Sequence, residues 1–195
     1  MAHLFSISRS VYDSNRNMPT KGATEFKALK KKYAKGVELR GKTIGIIGFG
    51  RIGQSTAKYA LGCGMTVVAY DPFMDSATIP VEVGGQTVNV EVQTTSLDDL
   101  LASSDYISLH VPMPADENAL LGNDEFAKMK DGVRIVNAAR GGVIDEDALI
   151  SACGSGKVAA CALDVFVNEP TPRQDILAVE NIALTPHIGA ATSEA

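Results

Sequence analysis

Three side chains in this 195-residue chain have the type and placement for acid–base chemistry on a small anion: Arg140, Glu169 and His187. Arg140 follows an apolar run and is flanked by Gly141 and Gly142. Its planar guanidinium fork suits a substrate carboxylate; the other reading is a pair with a surface carboxylate. His187 lies between Pro186 and Ile188-Gly189 and is one of only three histidines. Glu169 precedes Pro170 in a different loop. A carboxylate beside an imidazole stabilises the imidazolium. Such a pair suits proton exchange with an alcohol or carbonyl oxygen near neutral pH. A lone histidine can equally be structural, and sequence alone does not bring the two side chains together.

A second set of residues points to a phosphate. The apolar run Ile44 to Ile47 is followed by Gly48, Gly50 and Gly53 in G-x-G-x-x-G spacing, then by a helical pattern over Gln54 to Leu61. This is the strand–turn–helix order of a dinucleotide pyrophosphate site. Gly48 allows the tight turn, Gly50 the approach of backbone to phosphate, and Gly53 close helix–strand packing. The helix N-terminus offers free N–H groups and a positive dipole end. A second apolar run, Met65 to Tyr70, ends in Asp71, about 20 residues past the glycines, where the acid that binds an adenosine ribose is expected. Asp71 could instead only cap the turn before Pro72. Together these features favour a nicotinamide dinucleotide site.

The elements that would position both sets alternate along the chain. Residues Ala2 to about Asn15 read as a helix, broken by Asn17-Met18-Pro19, and Thr24 to Lys35 reads as a second helix with Thr24 as its cap. The lysines of that second helix read as a solvated face. Ile79 to Thr94 alternates around Gly84-Gly85, the pattern of a β-hairpin on the sheet edge. Ser96 to Asp99 resembles a capping box for a helix through Ala102. Tyr106 to Val111 is a buried strand stopped by Pro112 and Pro114. Asn123 to Lys130 is helical, Val133 to Asn137 a strand, and Asp145 caps a helix to about Cys153. Val158 to Leu163 is a strand ending in Asp164, and Ile182 to Leu184 is the last strand. The alternation predicts an α/β fold with a doubly wound parallel sheet. In such sheets ligands bind beyond the carboxyl ends of the strands. Asp71, His110, Arg140, Asp164 and His187, with Glu169, are therefore expected to face one crevice.

Composition narrows the partners. Hydrophobic content of 45% fits a globular domain, and 18 basic against 23 acidic residues give a net charge of −5. That balance does not favour nucleic acid, and no apolar run reaches membrane-span length. No leader pattern is visible at Met1-Ala2-His3. Cys63, Cys153 and Cys161 lack metal-ligand spacing, so reduced thiols, a cytoplasmic setting and no metal site are expected.

Five segments occur together in order: Ile46 to Gly53, Leu109 to Pro112, Val136 to Val143, Ala162 to Pro170 and Thr185 to Ala191. In these the chain resembles the D-isomer-specific 2-hydroxyacid dehydrogenases. The resemblance implies a Rossmann domain with NAD as cofactor and a small 2-hydroxy acid as substrate, 3-phosphoglycerate ahead of glyoxylate or hydroxypyruvate. It implies that Arg140 holds the substrate's carboxylate and oxygen, that His187 is the acid/base, and that Glu169 is oriented behind it. Arg51 and Ile52 would give backbone N–H groups to the pyrophosphate, and Asp71 would bind the ribose. His110, Val111 and Pro112, with Ala138, Ala139 and Arg140, would line the cofactor cleft. Asp164 would contact the nicotinamide end, which His187, Ile188, Gly189 and Ala190 would border. Residues 1–35 would be interdomain helices and 36–195 the NAD-binding domain, dimerising through that domain. The family's second, substrate-binding domain has no counterpart in this sequence, so the chain is expected to be the cofactor part of a larger enzyme. The hairpin is longer than in many members. A rival reading is a non-catalytic NAD(H)-binding module or corepressor, which would not need Arg140, Glu169 and His187 all intact.

Overall fold

The structure is a computed structural model and describes residues 1–113 and 118–193. After the helices α1 (Ala2–Ser8) and α2 (Val11–Lys32) come β1 (Thr43–Ile47), α3 (Arg51–Gly62) and β2 (Thr66–Tyr70). The hairpin strands β3 (Ser76–Val83) and β4 (Gln86–Gln93) follow, then α4 (Leu97–Ser103), β5 (Tyr106–Leu109) and α5 (Asn123–Lys128). The chain continues through β6 (Val133–Asn137), α6 (Glu146–Ser155), β7 (Val158–Leu163), α7 (Gln174–Leu177) and β8 (Ile182–Leu184).

Six strands form one parallel sheet in the order β2-β1-β5-β6-β7-β8. Both faces are covered, which is why the central strands read as unbroken apolar runs rather than alternating ones. Within β1, Ile44 and Ile46 join a cluster with Leu4, Ile7, Ala57 and Ala60 of α1 and α3. Ile47 turns to the opposite cluster, with Leu100, Leu101, Phe126 and Leu149 of α4, α5 and α6. The chain leaves β1 toward β2 on one side and later returns to β5 on the other. The strand order therefore reverses between β1 and β5, and the crevice at that switch point is where an open α/β sheet binds its ligand.

Four expectations need correction. The first helix does not run to Asn15: the chain breaks at Arg9-Ser10, where Ser10 takes a left-handed backbone (φ 52°). Nor does Pro19 end a helix, since α2 passes through it. Proline removes one intrahelical hydrogen bond, and the helix continues without it. Thr24 is not a cap; its hydroxyl donates back to the Lys21 carbonyl, and the irregularity falls at Glu25 (φ −119°, ψ 20°). The hairpin, centred on Gly84-Gly85 as expected, forms its own two-stranded sheet packed on α3, tied to the main sheet by a bridge between Ala69 and Thr94. Ser96 and Asp145 do cap α4 and α6, accepting from the N–H of Asp99 and Ala148. Pro114 lies outside the described residues. No helix among them is long and apolar enough to cross a membrane.

Candidate active site

The glycine turn sits at the switch point. Gly48 has φ 90°, a backbone closed to most side chains, and a Cβ there would strike the His110 carbonyl at the end of β5. A Cβ on Gly53 would run into the Gly48 carbonyl, so α3 can seat this close to β1 only with glycine there. Beside Gly50 there is open space. The first residues of α3, Arg51 and Ile52, are exposed at that opening, with Ile52 71% accessible. An open glycine backbone leading into a helix N-terminus fits a pyrophosphate.

Asp71, at the end of β2, accepts the Phe49 N–H at 2.7 Å and the Phe73 N–H at 2.9 Å. Its carboxylate thus braces the glycine turn from the neighbouring strand. His110 packs inward, with Nε2 2.9 Å from Ser108 Oγ. Burial lowers its pKa to about 4, so the ring is neutral at pH 7. Val111 packs over Gly48, and Pro112 is exposed.

The chemistry-bearing loops leave β6, β7 and β8. Asn137, buried at the end of β6, holds the next turn: its Oδ1 accepts the Ala139 N–H at 3.1 Å, and its Nδ2 donates to the Arg140 carbonyl at 3.0 Å. Ala138 and Ala139 are thereby presented at the strand end, and Arg140 projects into solvent, one guanidinium nitrogen donating to the Ala139 carbonyl. A Cβ on Gly141 would collide with the Phe166 carbonyl, so the Arg140 loop lies directly against the loop that carries Glu169. That second loop is held by Glu169 itself, whose Oε1 accepts the Phe166 N–H at 2.9 Å.

Asp164, 1% exposed at the end of β7, organises the third loop. It accepts the Thr185 hydroxyl and the N–H groups of Ile188 (2.9 Å) and Gly189 (2.7 Å). Burial would raise its pKa, but these hydrogen bonds outweigh burial and hold it below the ordinary carboxylate value. Its oxygens are thus engaged by the protein, so its visible work is to shape the segment running to Ala190. His3 of α1 reaches the same Thr185 hydroxyl at 3.2 Å.

The shaped loop delivers His187. Its Nδ1 lies 2.8 Å from Glu169 Oε2. The His187 hydrogen bond, then that of the Phe166 N–H, lowers the Glu169 pKa. Both loops bend sharply here: His187 and the residue before Glu169, Asn168, have positive φ of 56° and 62°. Non-glycine residues in that region carry strain, and such strain clusters at functional sites. Arg140, Glu169 and His187 line one cleft of about 420 Å³ with Met113, Val167 and Asn168. Asp71 and the glycine turn lie further along the same strand-end edge, on the β1–β2 side. No group of His, Cys, Asp or Glu among the described residues is arranged to hold a metal.

Sequence reasoning missed two residues that hold these loops. Asn137 reads only as the end of a strand, although a polar residue ending a buried strand is a usable signal. Glu146 follows the capping Asp145 and reads as an ordinary acidic first-turn residue; only the fold shows its long-range bond.

A doubly wound parallel sheet with a glycine turn at its switch point defines a Rossmann dinucleotide-binding domain. The chain belongs to the D-isomer specific 2-hydroxyacid dehydrogenases as their NAD binding domain, since that family's profile matches residues 1–189. It is 49% identical over 168 residues to a hydroxypyruvate reductase of Thermotoga maritima, covering 85% of this chain and 51% of that protein. It is 43% identical over 196 residues to a D-3-phosphoglycerate dehydrogenase of Archaeoglobus fulgidus, covering 100% of this chain and 34% of that protein. A crystal structure of a glyoxylate reductase from Paecilomyes thermophila superposes with a TM-score of 0.78 at 35% identity, over 98% of this chain and 54% of that one. The chain thus spans about half, or less, of the relatives it matches.

Proposed function

We propose that this domain serves an NAD-dependent oxidoreductase that interconverts a D-2-hydroxy acid and its 2-oxo acid, with 3-phosphoglycerate as substrate. The observation that carries the reading is the 2.8 Å contact between His187 Nδ1 and Glu169 Oε2 in the cleft that also holds Arg140. Bound NAD supplies the hydride acceptor, and the protein supplies placement and proton handling. With Nδ1 donating to Glu169, His187 Nε2 is left to take the substrate's hydroxyl proton. Glu169, a carboxylate whose pKa the His187 hydrogen bond lowers further, stabilises the imidazolium that results. Arg140 offers its guanidinium to the substrate carboxylate and to charge developing on the oxygen. Gly48, Gly50, Arg51, Ile52 and Gly53 hold the pyrophosphate, Asp71 the ribose, and the Ala138–Ala139 and Ile188–Ala190 segments the nicotinamide side.

The T. maritima and P. thermophila relatives favour a second reading of the substrate, hydroxypyruvate or glyoxylate. We further propose that α1 and α2 join this domain to a substrate domain and that α2 meets a second copy of the chain. Supporting the latter, α2 buries only Leu29, while Val11, Met18 and Phe26 are 52%, 43% and 58% exposed. Steady-state assays of the full-length protein with D- and L-enantiomers of 3-phosphoglycerate and glycerate test the substrate. Selective oxidation of D-3-phosphoglycerate is expected. Preference for D-glycerate would move the assignment to hydroxypyruvate reduction, and binding of NADH without turnover of any 2-hydroxy acid would favour a non-catalytic module.

A further inference from the structure

We propose that Glu146 is a positioning residue of this site, setting the Glu169 loop from beneath through the Val167 N–H. The inference rests on the dehydrogenase reading above. Glu146 is the first residue of α6 and only 8% exposed. Its Oε1 accepts the Val167 N–H at 3.0 Å, across 21 residues of sequence. Its Oε2 is buried and has no hydrogen-bond partner among the described residues.

A carboxylate buried with one oxygen unused is costly. Helix start does not explain it, because Asp145 already accepts the Ala148 N–H and caps α6. What Glu146 adds is a fixed anchor for the segment Phe166-Val167-Asn168-Glu169. Two carboxylates grip that segment at adjacent amides: Glu169 Oε1 takes the Phe166 N–H and Glu146 Oε1 takes the next one, at Val167. Asn168, directly after them, has φ 62° and turns the chain so that Glu169 Oε2 meets His187. Without the Val167 anchor, the left-handed turn at Asn168 loses one of the bonds that impose it. Glu169 then samples positions away from the imidazole. Val167 and Asn168 line the catalytic cleft, so the anchor acts on the site without Glu146 entering it.

The test uses the full-length enzyme and three substitutions. Glu146→Gln keeps an acceptor at the same reach. Glu146→Asp keeps the charge and the acidic first turn but withdraws the oxygen by one methylene. Glu146→Ala removes both. The carboxyl titration of Glu169, followed by carbon NMR, and the steady-state constants are read together. Glu146→Gln should leave both close to wild type. Glu146→Asp and Glu146→Ala should let the Glu169 pKa rise toward its ordinary value. They should also lower kcat at least tenfold, toward the order of 10² that small misplacements of reacting groups cause, with the NADH Kd unchanged within about twofold. In a Glu169→Gln background, Glu146→Asp should add little further loss, because the anchored group is already gone. If Glu146→Ala fails to fold, the Asp and Gln variants carry the test. An unmoved Glu169 titration in Glu146→Asp overturns the proposal, as does full additivity with Glu169→Gln. The titration arm needs no turnover, so a wild-type protein that oxidises no 2-hydroxy acid would defeat the functional reading while leaving the anchor measurable.

Discussion

Glu169 and His187 come from the loops after β7 and β8, yet Oε2 of one and Nδ1 of the other meet at 2.8 Å. The contact is half open to solvent, with side chains 34% and 51% exposed. Exposed ion pairs contribute about 0–1 kcal/mol to stability. Glu169→Gln in the full-length enzyme should therefore cost little stability while lowering kcat. An unchanged kcat in the folded variant would speak against the pairing as catalytic.

Asp71 should select NAD over NADP. Its carboxylate can accept from ribose hydroxyls but meets a 2′-phosphate with like charge. Like-charge contacts cost several kcal/mol, and each ~1.4 kcal/mol is about tenfold in affinity. Titrations of NADH and NADPH should differ by more than about tenfold, and Asp71→Asn should narrow the gap. Equal affinity of the wild-type protein for both would count against the assignment. Because Asp71 also braces Phe49 and Phe73, the variant should lose some NADH affinity as well.

His110 gives a pH signature in stability. Its pKa falls from 6.5 to about 4 on folding, mainly through burial. Between those values the unfolded chain binds more protons than the folded one, so stability rises with pH. The contribution is complete above the unfolded value and lost as pH falls toward the folded one. It is worth on the order of 3 kcal/mol. Denaturant unfolding at pH 7, 5.5 and 4 (roughly spanning the window) should show a steeper decline for wild type than for His110→Gln. Parallel declines would mean that the ring is not held neutral.

Gly53→Ala should fail for packing reasons. The added methyl meets the Gly48 carbonyl, which belongs to backbone and has no rotamer to change. Overpacking of this kind costs about 1–3 kcal/mol, and any shift of α3 also displaces the phosphate-facing N–H groups. Reduced Tm together with weakened NADH binding is expected. Wild-type values for both would show that α3 has room to move.

The sheet was legible because its strands are buried on both faces: Ile44 to Ile47 and Val158 to Leu163 are continuous apolar runs between turn signals. The glycine turn was legible because its spacing reports backbone geometry directly. The N-terminal helices were misread because a proline costs a helix only one intrahelical hydrogen bond and α2 continues through Pro19, while the real break uses Ser10, a residue with no strong turn signal. Arg140, Glu169 and His187 could be nominated from their places at strand ends. Their convergence is a tertiary fact, made by Asp164 gripping the 185–189 segment and by Gly141 letting two loops touch. Asn137 and Glu146 stayed hidden for the same reason, since their partners are set by the fold and not by local spacing.

The central claim is that His187 exchanges the substrate proton in a site whose cofactor contacts are made elsewhere. The most direct test is His187→Ala in the full-length enzyme, with kcat for the D-2-hydroxy acid and the Kd for NADH measured on the same folded sample. Acid–base catalysis is worth about 10²–10⁴-fold. A kcat loss in that range is expected, with NADH affinity nearly unchanged. A near-normal kcat in folded His187→Ala protein would contradict it.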